Sequence, residues 1–514
     1  MRNALLALAA GLIPLSASAA PVRVDGGLVD GERADGATVY RAIPYAAAPT
    51  GALRWRAPQA VRPWTGVRRS PGFAPACAQN GASIPGETVP AMSEDCLYLN
   101  VWAPARASRQ PLPVLVWIHG GGFANGNAGL PLYWGDRLAR RGIIVVTFNY
   151  RLGAFGFLAH PELTRESPHG SSGNYGLLDQ VAALRWVRRN IAALGGDPRR
   201  VTIAGQSAGS SSVSILMASP LARGLFRQAI GQSGGFFEPL QLAPQFALRN
   251  AERDGVAFAG AVGADDLAEL RALPTGAILR GNAGRITHPV TEPWLLPEPP
   301  FAVFAAGRQA RVPLLLGVNA KEAVALADFR NVRAATFAED IAASFGPLPQ
   351  PLLDAYPHQP DDGDARRARI AFETDLRFGW NMWAWAQLQA ASGSRVFAYR
   401  FEQAPPFPAG SPYAGWGASH FAELWYMFDH LGQEPWSWSA GDRQLAERMA
   451  AYWTNFVKRG DPNGPGLPRW PTAGADGAPL LILRDRPAIG RPDRPEALAV
   501  FDAVYGQLRR APSP

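Results

Sequence analysis

The sequence predicts an α/β fold in which a central, mostly parallel β-sheet is flanked by helices. Largely apolar segments occur at Val114–Ile118, Ile143–Tyr150 and Val312–Val318, and hydrophobic residues recur at helical spacing across 177–194. Uninterrupted apolar runs are typical of strands that are buried on both faces. Their alternation with helical segments is typical of a parallel sheet covered by helices.

Length and composition describe one large globular unit. The chain has 514 residues, of which 47% are hydrophobic and 18% are charged, and this balance is typical of a folded, enzyme-sized protein. No linker or repeat divides it, and the stretches 236–310 and 325–395, rich in alanine, proline and aromatic residues, predict helical insertions over the top of the sheet. The net charge is +8, but the basic residues are scattered, so the sequence does not favour a nucleic-acid partner.

The first nineteen residues have the features of a targeting segment. Arg2 supplies a positive start, Ala4–Leu15 is a short apolar stretch, and Ala17–Ala19 is a small-residue cleavage site. The apolar stretch is too short to span a bilayer. We therefore expect 1–19 to be a signal peptide and 20–514 to be a single exported domain, periplasmic or extracellular, without stable membrane insertion.

If the chain is exported, its two cysteines, Cys77 and Cys96, enter an oxidising compartment. Two cysteines in an oxidising compartment most simply pair with each other. Closing the loop 78–95 would stabilise the fold by about 3 kcal/mol in the chain-entropy picture.

A candidate nucleophile lies in the segment 201–217. The β-capable run Val201–Ala204 leads into Gly205-Gln206-Ser207-Ala208-Gly209, and a helix-compatible run follows. This is the G-x-S-x-G pattern between a strand and a helix. Such an abrupt turn strains its apex residue and leaves no room for side chains at the flanking glycines. Ser207 is thus the predicted nucleophile, and the amide of Ala208, at the start of the helix, can bind an oxyanion.

A glycine-rich loop provides further candidate donors. The strand predicted at Val114–Ile118 runs into His119 and then Gly120–Gly122. Consecutive glycines let the backbone approach a ligand and direct N–H groups at it, as in the oxyanion loop of serine hydrolases. We name Gly121 and Gly122 as oxyanion donors together with Ala208.

A serine nucleophile requires a base, and the base requires an orienting acid. In hydrolases built on this kind of sheet the order is serine, acid, histidine. Glu322 follows the strand predicted at Val312–Val318 and is the candidate acid, with Asp328 as a rival. Of the histidines after the turn, His420 opens an apolar helix, but local context leaves His430 as an alternative base.

Several blocks of the chain resemble the type-B carboxylesterase family of α/β-hydrolases, and specifically a bacterial-type secreted member. The resemblance covers nearly the whole mature chain, and its blocks lie at 73–77, 93–101, 119–123, 148–158, 173–180, 196–209, 317–322, 420–428, 461–465 and 470–471. It implies an α/β-hydrolase fold and a carboxylic ester hydrolase that needs no metal or organic cofactor.

The resemblance also implies roles for individual residues. It makes Ser207 the nucleophile, Glu322 the acid and His420 the base. It further implies that Gly121, Gly122 and Ala208 form the oxyanion hole and that Cys77 and Cys96 form a disulfide. The pairs Arg41–Glu94 and Arg151–Asp179 are implied to be buried structural ion pairs, and Ser233 is implied to support the acid.

Departures from the family pattern narrow the expected substrate. Gln206 stands where cholinesterases carry a glutamate, and the loop between the cysteines lacks the tryptophan that binds quaternary ammonium there. We therefore expect bulky or apolar esters, not choline esters, with Phe237 and Trp294 lining a pocket over Ser207. Two alternatives are a binding module on the same scaffold and a hydrolase of amides, carbamates or long-chain lipids.

Overall fold

The computed structural model describes residues 20–69, 72–84, 87–106, 108–282 and 284–511. The predicted targeting segment, 1–19, lies outside the described residues.

Eleven of the described strands form one sheet, and we number them in chain order. They are β1 Glu32–Ala34, β2 Ala37–Pro44, β3 Tyr98–Pro104, β4 Leu112–Ile118, β5 Ile144–Phe148, β6 Gly196–Gln206, β7 Gln228–Gln232, β8 Leu314–Asn319, β9 Val396–Phe401, β10 Leu480–Leu483 and β11 Ala488–Gly490. Their spatial order is β11-β10-β9-β8-β7-β6-β4-β5-β3-β2-β1. The strands from β5 to β10 pair in parallel, and antiparallel pairs are confined to the two edges.

Sixteen α-helices lie in the described part of the chain. They are α1 Asp136–Arg140, α2 Gly153–Phe157, α3 Pro161–Glu166, α4 Tyr175–Asn190, α5 Ala208–Ala218, α6 Leu248–Ala261, α7 Leu267–Ala272, α8 Thr275–Asn282, α9 Pro300–Ala305, α10 Phe337–Phe345, α11 Gln350–Asp354, α12 Asp362–Thr374, α13 Trp380–Ala391, α14 Leu424–Met427, α15 Ala440–Arg459 and α16 Pro495–Arg510. Helices α6 to α9 and α10 to α13 occupy the two stretches that the composition identified as helical insertions.

The sheet separates two hydrophobic cores. Along β4, Val114, Val116 and Ile118 belong to one core, whereas Leu115 and Trp117 belong to the other. Successive side chains of a strand point to opposite faces, so a strand covered on both faces is apolar at every position. This explains the continuous apolar run and confirms the predicted α/β architecture.

Element boundaries differ from the prediction by a few residues. The helix expected over 177–194 is α4, Tyr175–Asn190, followed by a 3₁₀ turn, Ile191–Leu194. Gly195, with φ of 87°, ends it in the left-handed conformation, which glycine adopts without steric cost.

The cysteine pairing and one of the two expected ion pairs are confirmed. Cys77 and Cys96 form a disulfide. Arg151 contacts Asp179 through Nε and Nη2 at 2.8 and 2.7 Å, with both side chains buried.

The expected pair Arg41–Glu94 is wrong. Arg54 occupies that place, with its Nε 2.8 Å from Glu94 Oε2, while Arg41 pairs with Glu32. Arg54 also donates to the carbonyl of Leu273 at 2.7 Å, a contact with a distant segment that local sequence does not reveal.

Among the described residues, no helix has the length and apolar character needed to cross a membrane.

Candidate active site at the carboxyl edge of the sheet

The turn between β6 and α5, which we call the elbow, is strained. Ser207 lies at its apex with φ of 57° and ψ of −127°, a conformation that non-glycine residues rarely adopt. A Cβ on Gly209 would lie 2.0 Å from the carbonyl oxygen of Ile118, and one on Gly205 would lie 2.4 Å from Gly209. Only glycine permits this approach of strand and helix, so the predicted strand–turn–helix is present.

The glycine loop after β4 lies against this elbow. A Cβ on Gly120 would lie 2.8 Å from the carbonyl oxygen of Gln206. Gly121 and Gly122 have φ of 102° and 61°, and both line one cavity with Ser207 and Ala208. Ala208 is the first residue of α5, so its N–H is one of the four that a helix leaves without an internal partner.

His119, which precedes the glycines, holds the loop in place. Its ring stacks on that of Tyr150 with centroids 4.4 Å apart, and the Tyr150 hydroxyl donates to its carbonyl oxygen at 2.9 Å. Burial lowers the pKa of His119 to about 4, so its ring is neutral at neutral pH.

The predicted acid and base are in direct contact. His420 Nδ1 lies 2.7 Å from Glu322 Oε2, although the two residues are 98 positions apart. Both side chains are buried. Glu322 follows β8, and its Oε1 accepts the backbone N–H of Asn319 at 2.6 Å. The ring of Phe378 stacks on the imidazole of His420, with ring centroids 4.5 Å apart.

The two rival residues lie elsewhere. Asp328 is bonded to Arg330, whose guanidinium lowers the pKa of that exposed carboxyl to about 2. His430 contacts Asp136 Oδ1 at 3.1 Å and the carbonyl of Leu132. Neither residue lines the cavity that contains Ser207.

The side chain of Gln206 contacts His420, the candidate base. Its Nε2 lies 3.1 Å from His420 Nε2, the ring nitrogen not engaged by Glu322. The same amide nitrogen lies 3.5 Å from His420 Nδ1, so it lies over the imidazole ring and not in line with the Nε2 lone pair. A neutral amide therefore occupies the position next to Ser207, as the sequence indicates, and it lines the same cavity.

A second carboxyl, Glu423, is buried behind Glu322. Its oxygens accept from Asn319 Nδ2 at 2.6 Å and from Gln232 Nε2 at 3.0 Å. Burial, reinforced by the negative charge of Glu322, raises the pKa of Glu423 to about 7. Sequence reasoning missed this residue, and its position three residues after His420 is the only signal that could have indicated it.

Ser233 does not reach the acid. Its side chain is buried, but within the described chain its hydroxyl has no hydrogen-bond partner. Its backbone N–H donates to the carbonyl of Gly317 at 2.9 Å, so it holds β7 against β8.

The cavity that contains Ser207, which we call the site cavity, has a volume of about 830 Å³. Its walls combine the elbow and glycine loop with apolar side chains from the insertions, among them Phe236, Leu242, Phe246, Phe345, Leu348, Leu376 and Phe378. The disulfide loop contributes Ala82, Ser83 and Ile84.

The structure does not place Phe237 or Trp294 on this cavity. Phe237 is fully buried against Phe304 and Trp385, and its neighbour Phe236 lines the cavity instead. Trp294 stacks on His169 with ring centroids 3.8 Å apart, in a separate cleft. Choosing between adjacent aromatic residues requires the direction of each side chain, which composition does not supply.

Known proteins share both the sequence and the fold. A model described as the carboxylesterase family matches residues 18–500. Fumonisin B1 esterase of Sphingopyxis macrogoltabida is 37% identical over 470 residues, covering 87% of this chain and 83% of that protein. Para-nitrobenzyl esterase of Bacillus subtilis (strain 168) is 35% identical over 480 residues, covering 89% and 93%. A solved structure of a PNB esterase superimposes with a TM-score of 0.81 at 33% identity, covering 93% of this chain and 99% of that one.

The fold and the comparisons define the class of protein, an α/β-hydrolase that cleaves carboxylic esters as a serine hydrolase. The chain belongs to the carboxylesterase family.

The buried carboxyl of Glu423 generates a prediction about stability and pH. The folded chain holds this proton up to about pH 7, whereas an unfolded glutamate releases it near its ordinary pKa of 4.5. Between these values the folded state binds more protons, so stability falls as pH rises. We expect Glu423→Gln to gain stability relative to wild type, by up to about 3 kcal/mol, between pH 4.5 and pH 7.

Urea unfolding of both proteins at the two ends of this range measures the effect. Any constant offset from altered hydrogen bonds cancels in the comparison between pH values. Glu447→Gln, at an exposed position of α15, is the control for removal of a carboxyl. A difference between Glu423→Gln and wild type that does not change with pH would contradict the raised pKa.

Proposed function

We propose that Ser207, His420 and Glu322 form a catalytic triad that hydrolyses carboxylic esters through an acyl-enzyme. The observation that carries this proposal is the 2.7 Å contact between His420 Nδ1 and Glu322 Oε2. It leaves Nε2 of the imidazole beside the residue that precedes Ser207, and His420 and Ser207 line the same cavity.

The first half of the reaction makes the acyl-enzyme. His420 Nε2 takes the proton of the Ser207 hydroxyl as Oγ attacks the ester carbonyl carbon. Glu322 stabilises the imidazolium that forms. The C–O bond to the alcohol then breaks, and His420 returns the proton to the departing alkoxide.

The second half repeats these steps with water. His420 removes a proton from a water molecule, which attacks the acyl carbon, and Ser207 leaves with that proton. In both halves the amides of Gly121, Gly122 and Ala208 stabilise the oxyanion. Each donor of this kind contributes about 100- to 1000-fold in rate where it has been removed in other enzymes.

Removing the nucleophile tests the triad. We expect Ser207→Ala to lower kcat on a neutral short-chain ester by about 10⁴-fold or more, because the acyl-enzyme can no longer form. Ser214→Ala, a serine on the same helix that bonds to the carbonyl of Ser211, is the matched control. A fluorophosphonate should label the peptide that contains Ser207 in wild type only, and equal turnover by Ser207→Ala and wild type would contradict the assignment.

We further propose that the substrates are bulky or apolar esters and not choline esters. A cavity of about 830 Å³ whose walls include many apolar side chains accommodates large acyl or alcohol groups. Next to Ser207 it presents the neutral amide of Gln206, which offers a quaternary ammonium no opposite charge. The related fumonisin B1 and para-nitrobenzyl esterases are named for different esters, so family membership leaves the substrate open.

A matched pair of esters tests this preference. Butyrylcholine and its neutral carbon isostere, dimethylbutyl butyrate, differ only in the charge of the alcohol group. We expect kcat/KM for the choline ester to be no higher than for the isostere, since no carboxylate beside the nucleophile attracts the cation. A tenfold or greater preference for butyrylcholine would contradict the proposal.

We also propose that the chain is exported after cleavage of 1–19 and acts as a single domain over 20–514, in the periplasm or outside the cell. The Cys77–Cys96 disulfide supports this, because such bonds persist in oxidising compartments. Expression of the full chain in a bacterial host with a periplasm, followed by sequencing of the mature N-terminus, should give Ala20 as the first residue. An intact N-terminus on protein that stays in the cytoplasm would contradict it.

A further inference from the structure

Several charged side chains line the site cavity but have no part in the proposed mechanism. Besides His420, the ionisable side chains on the wall include Glu238, His288 and Arg377. Burial lowers the pKa of His288, so it is neutral at neutral pH. The balance of charge therefore depends on Glu238 and Arg377.

Glu238 is compensated. Asn381 Nδ2 donates to its Oε1 at 2.7 Å, and burial raises the pKa of its carboxyl while the nearby charge of Arg509 acts in the opposite direction. Burial lowers the pKa of Arg509 to about 10, which leaves its guanidinium charged at neutral pH. Whether protonated or offset by the charge of Arg509, Glu238 therefore adds little negative charge to the wall.

Arg377 belongs to a cluster with an excess positive charge. Arg369 Nε contacts Glu373 Oε1 at 2.7 Å, and Arg377 contacts Glu373 Oε2 through Nε at 3.1 Å and Nη2 at 3.0 Å. Within the described residues, no other carboxylate lies within ion-pair distance of either arginine. Two guanidinium groups thus share one carboxylate, which leaves one positive charge unpaired.

That charge is available at Arg377. The side chains of Arg369 and Glu373 are 6% and 2% exposed, whereas that of Arg377 is 35% exposed. Arg377 lies over the ring of Phe345, 4.9 Å from its centroid, and in the described part of the chain its Nη1 has no hydrogen-bond partner. Contacts with Glu373 and Phe345 therefore hold the Arg377 side chain in place, while its Nη1 is free to donate a hydrogen bond.

A π-helical turn directs Arg377 at the cavity. Asp375–Gly379 is a π turn between α12 and α13, and Leu376, Arg377 and Phe378 all line the site cavity. Three consecutive residues of a regular α-helix would fan out over about 200°. Arg494 Nε anchors the turn through Asp375 Oδ2 at 2.8 Å, and Phe378 places the turn directly against His420.

We infer that Arg377 is a specificity-determining residue that binds a free carboxylate on the ester substrate. An arginine with a free N–H donor, an unpaired charge and apolar neighbours fits a carboxylate, because charge-assisted hydrogen bonds between a guanidinium and a carboxylate are strong. The substrate class is then the half-ester of a dicarboxylic or polycarboxylic acid, or the ester of a hydroxy acid. This inference rests on the proposed serine esterase function.

Two pairs of isosteric esters test the inference and distinguish the two sources of the carboxylate. Propyl hydrogen glutarate carries the carboxylate on the acyl group. The butanoate ester of γ-hydroxybutanoate carries it on the alcohol group. In the neutral partner of each, an isopropyl group replaces the free carboxylate. The measured quantity is the ratio of kcat/KM for the charged ester to kcat/KM for its neutral partner.

We expect Arg377→Met to lower this ratio by about tenfold or more in at least one pair, because a charge-assisted hydrogen bond is lost. Arg377→Lys, which keeps the positive charge, should retain part of the preference for the charged ester. Arg367→Met is the matched control, since Arg367 is 74% exposed on α12 and pairs with Asp364. Glu373 keeps Arg369 as a partner in Arg377→Met, so no buried carboxylate is left unpaired.

A measurement on the wild-type protein supports the same test without a variant. Glutarate should competitively inhibit hydrolysis of a neutral ester, and raising the salt concentration from about 0.02 to about 0.3 M should weaken that inhibition by screening. No inhibition by glutarate, no turnover of either charged ester by wild type, or equal ratios in wild type and Arg377→Met would each overturn the inference. Failure of the proposed function is a different result, namely hydrolysis of the neutral esters that persists in Ser207→Ala.

Discussion

The parallel pairing of β4, β6, β7 and β8 is the constraint on which the site depends. Parallel strands end at a common edge, so the loops that follow them meet there. Ser207 and Ser233, the residues that follow β6 and β7, both have positive φ, of 57° and 54°. Each donates its backbone N–H to the next strand, to the carbonyls of Gln232 and Gly317 at 2.9 Å. The strain at Ser207 is thus held by the hydrogen-bond ladder of the sheet itself.

Two carboxyls, Glu322 and Glu423, are buried close together and Glu322 contacts His420, whereas the side chain next to Ser207 is the neutral amide of Gln206. Glu322 and Glu423 share a buried region supplied with donors by Asn319 and Gln232, and the raised pKa of Glu423 keeps that carboxyl mostly protonated below pH 7, which leaves one net negative charge there. Burying two ionised carboxyls side by side would be far more costly. That remaining charge, on Glu322, faces His420, which becomes an imidazolium in the proposed mechanism.

Local patterns predicted much of the site. The elbow, the glycine loop and the continuous strands could be recognised because their constraints act within a few residues: a tight turn excludes side chains, and a doubly buried strand excludes polar ones. Local context alone left Asp328 beside Glu322 and His430 beside His420, and resemblance to a family was needed to choose. The contact between His420 and Glu322 agrees with that choice.

What the sequence by itself determined is the strand order along the chain, the glycines of the elbow and loop, and the pairing of the only two cysteines. Tertiary structure alone decided that Phe236 and not Phe237 faces the cavity, that Arg54 and not Arg41 meets Glu94, and that Arg377 is the member of its cluster left accessible. The reason is physical. Backbone sterics are set by neighbours along the chain, whereas the direction and partner of a side chain are set by whichever segments pack against it in the folded structure.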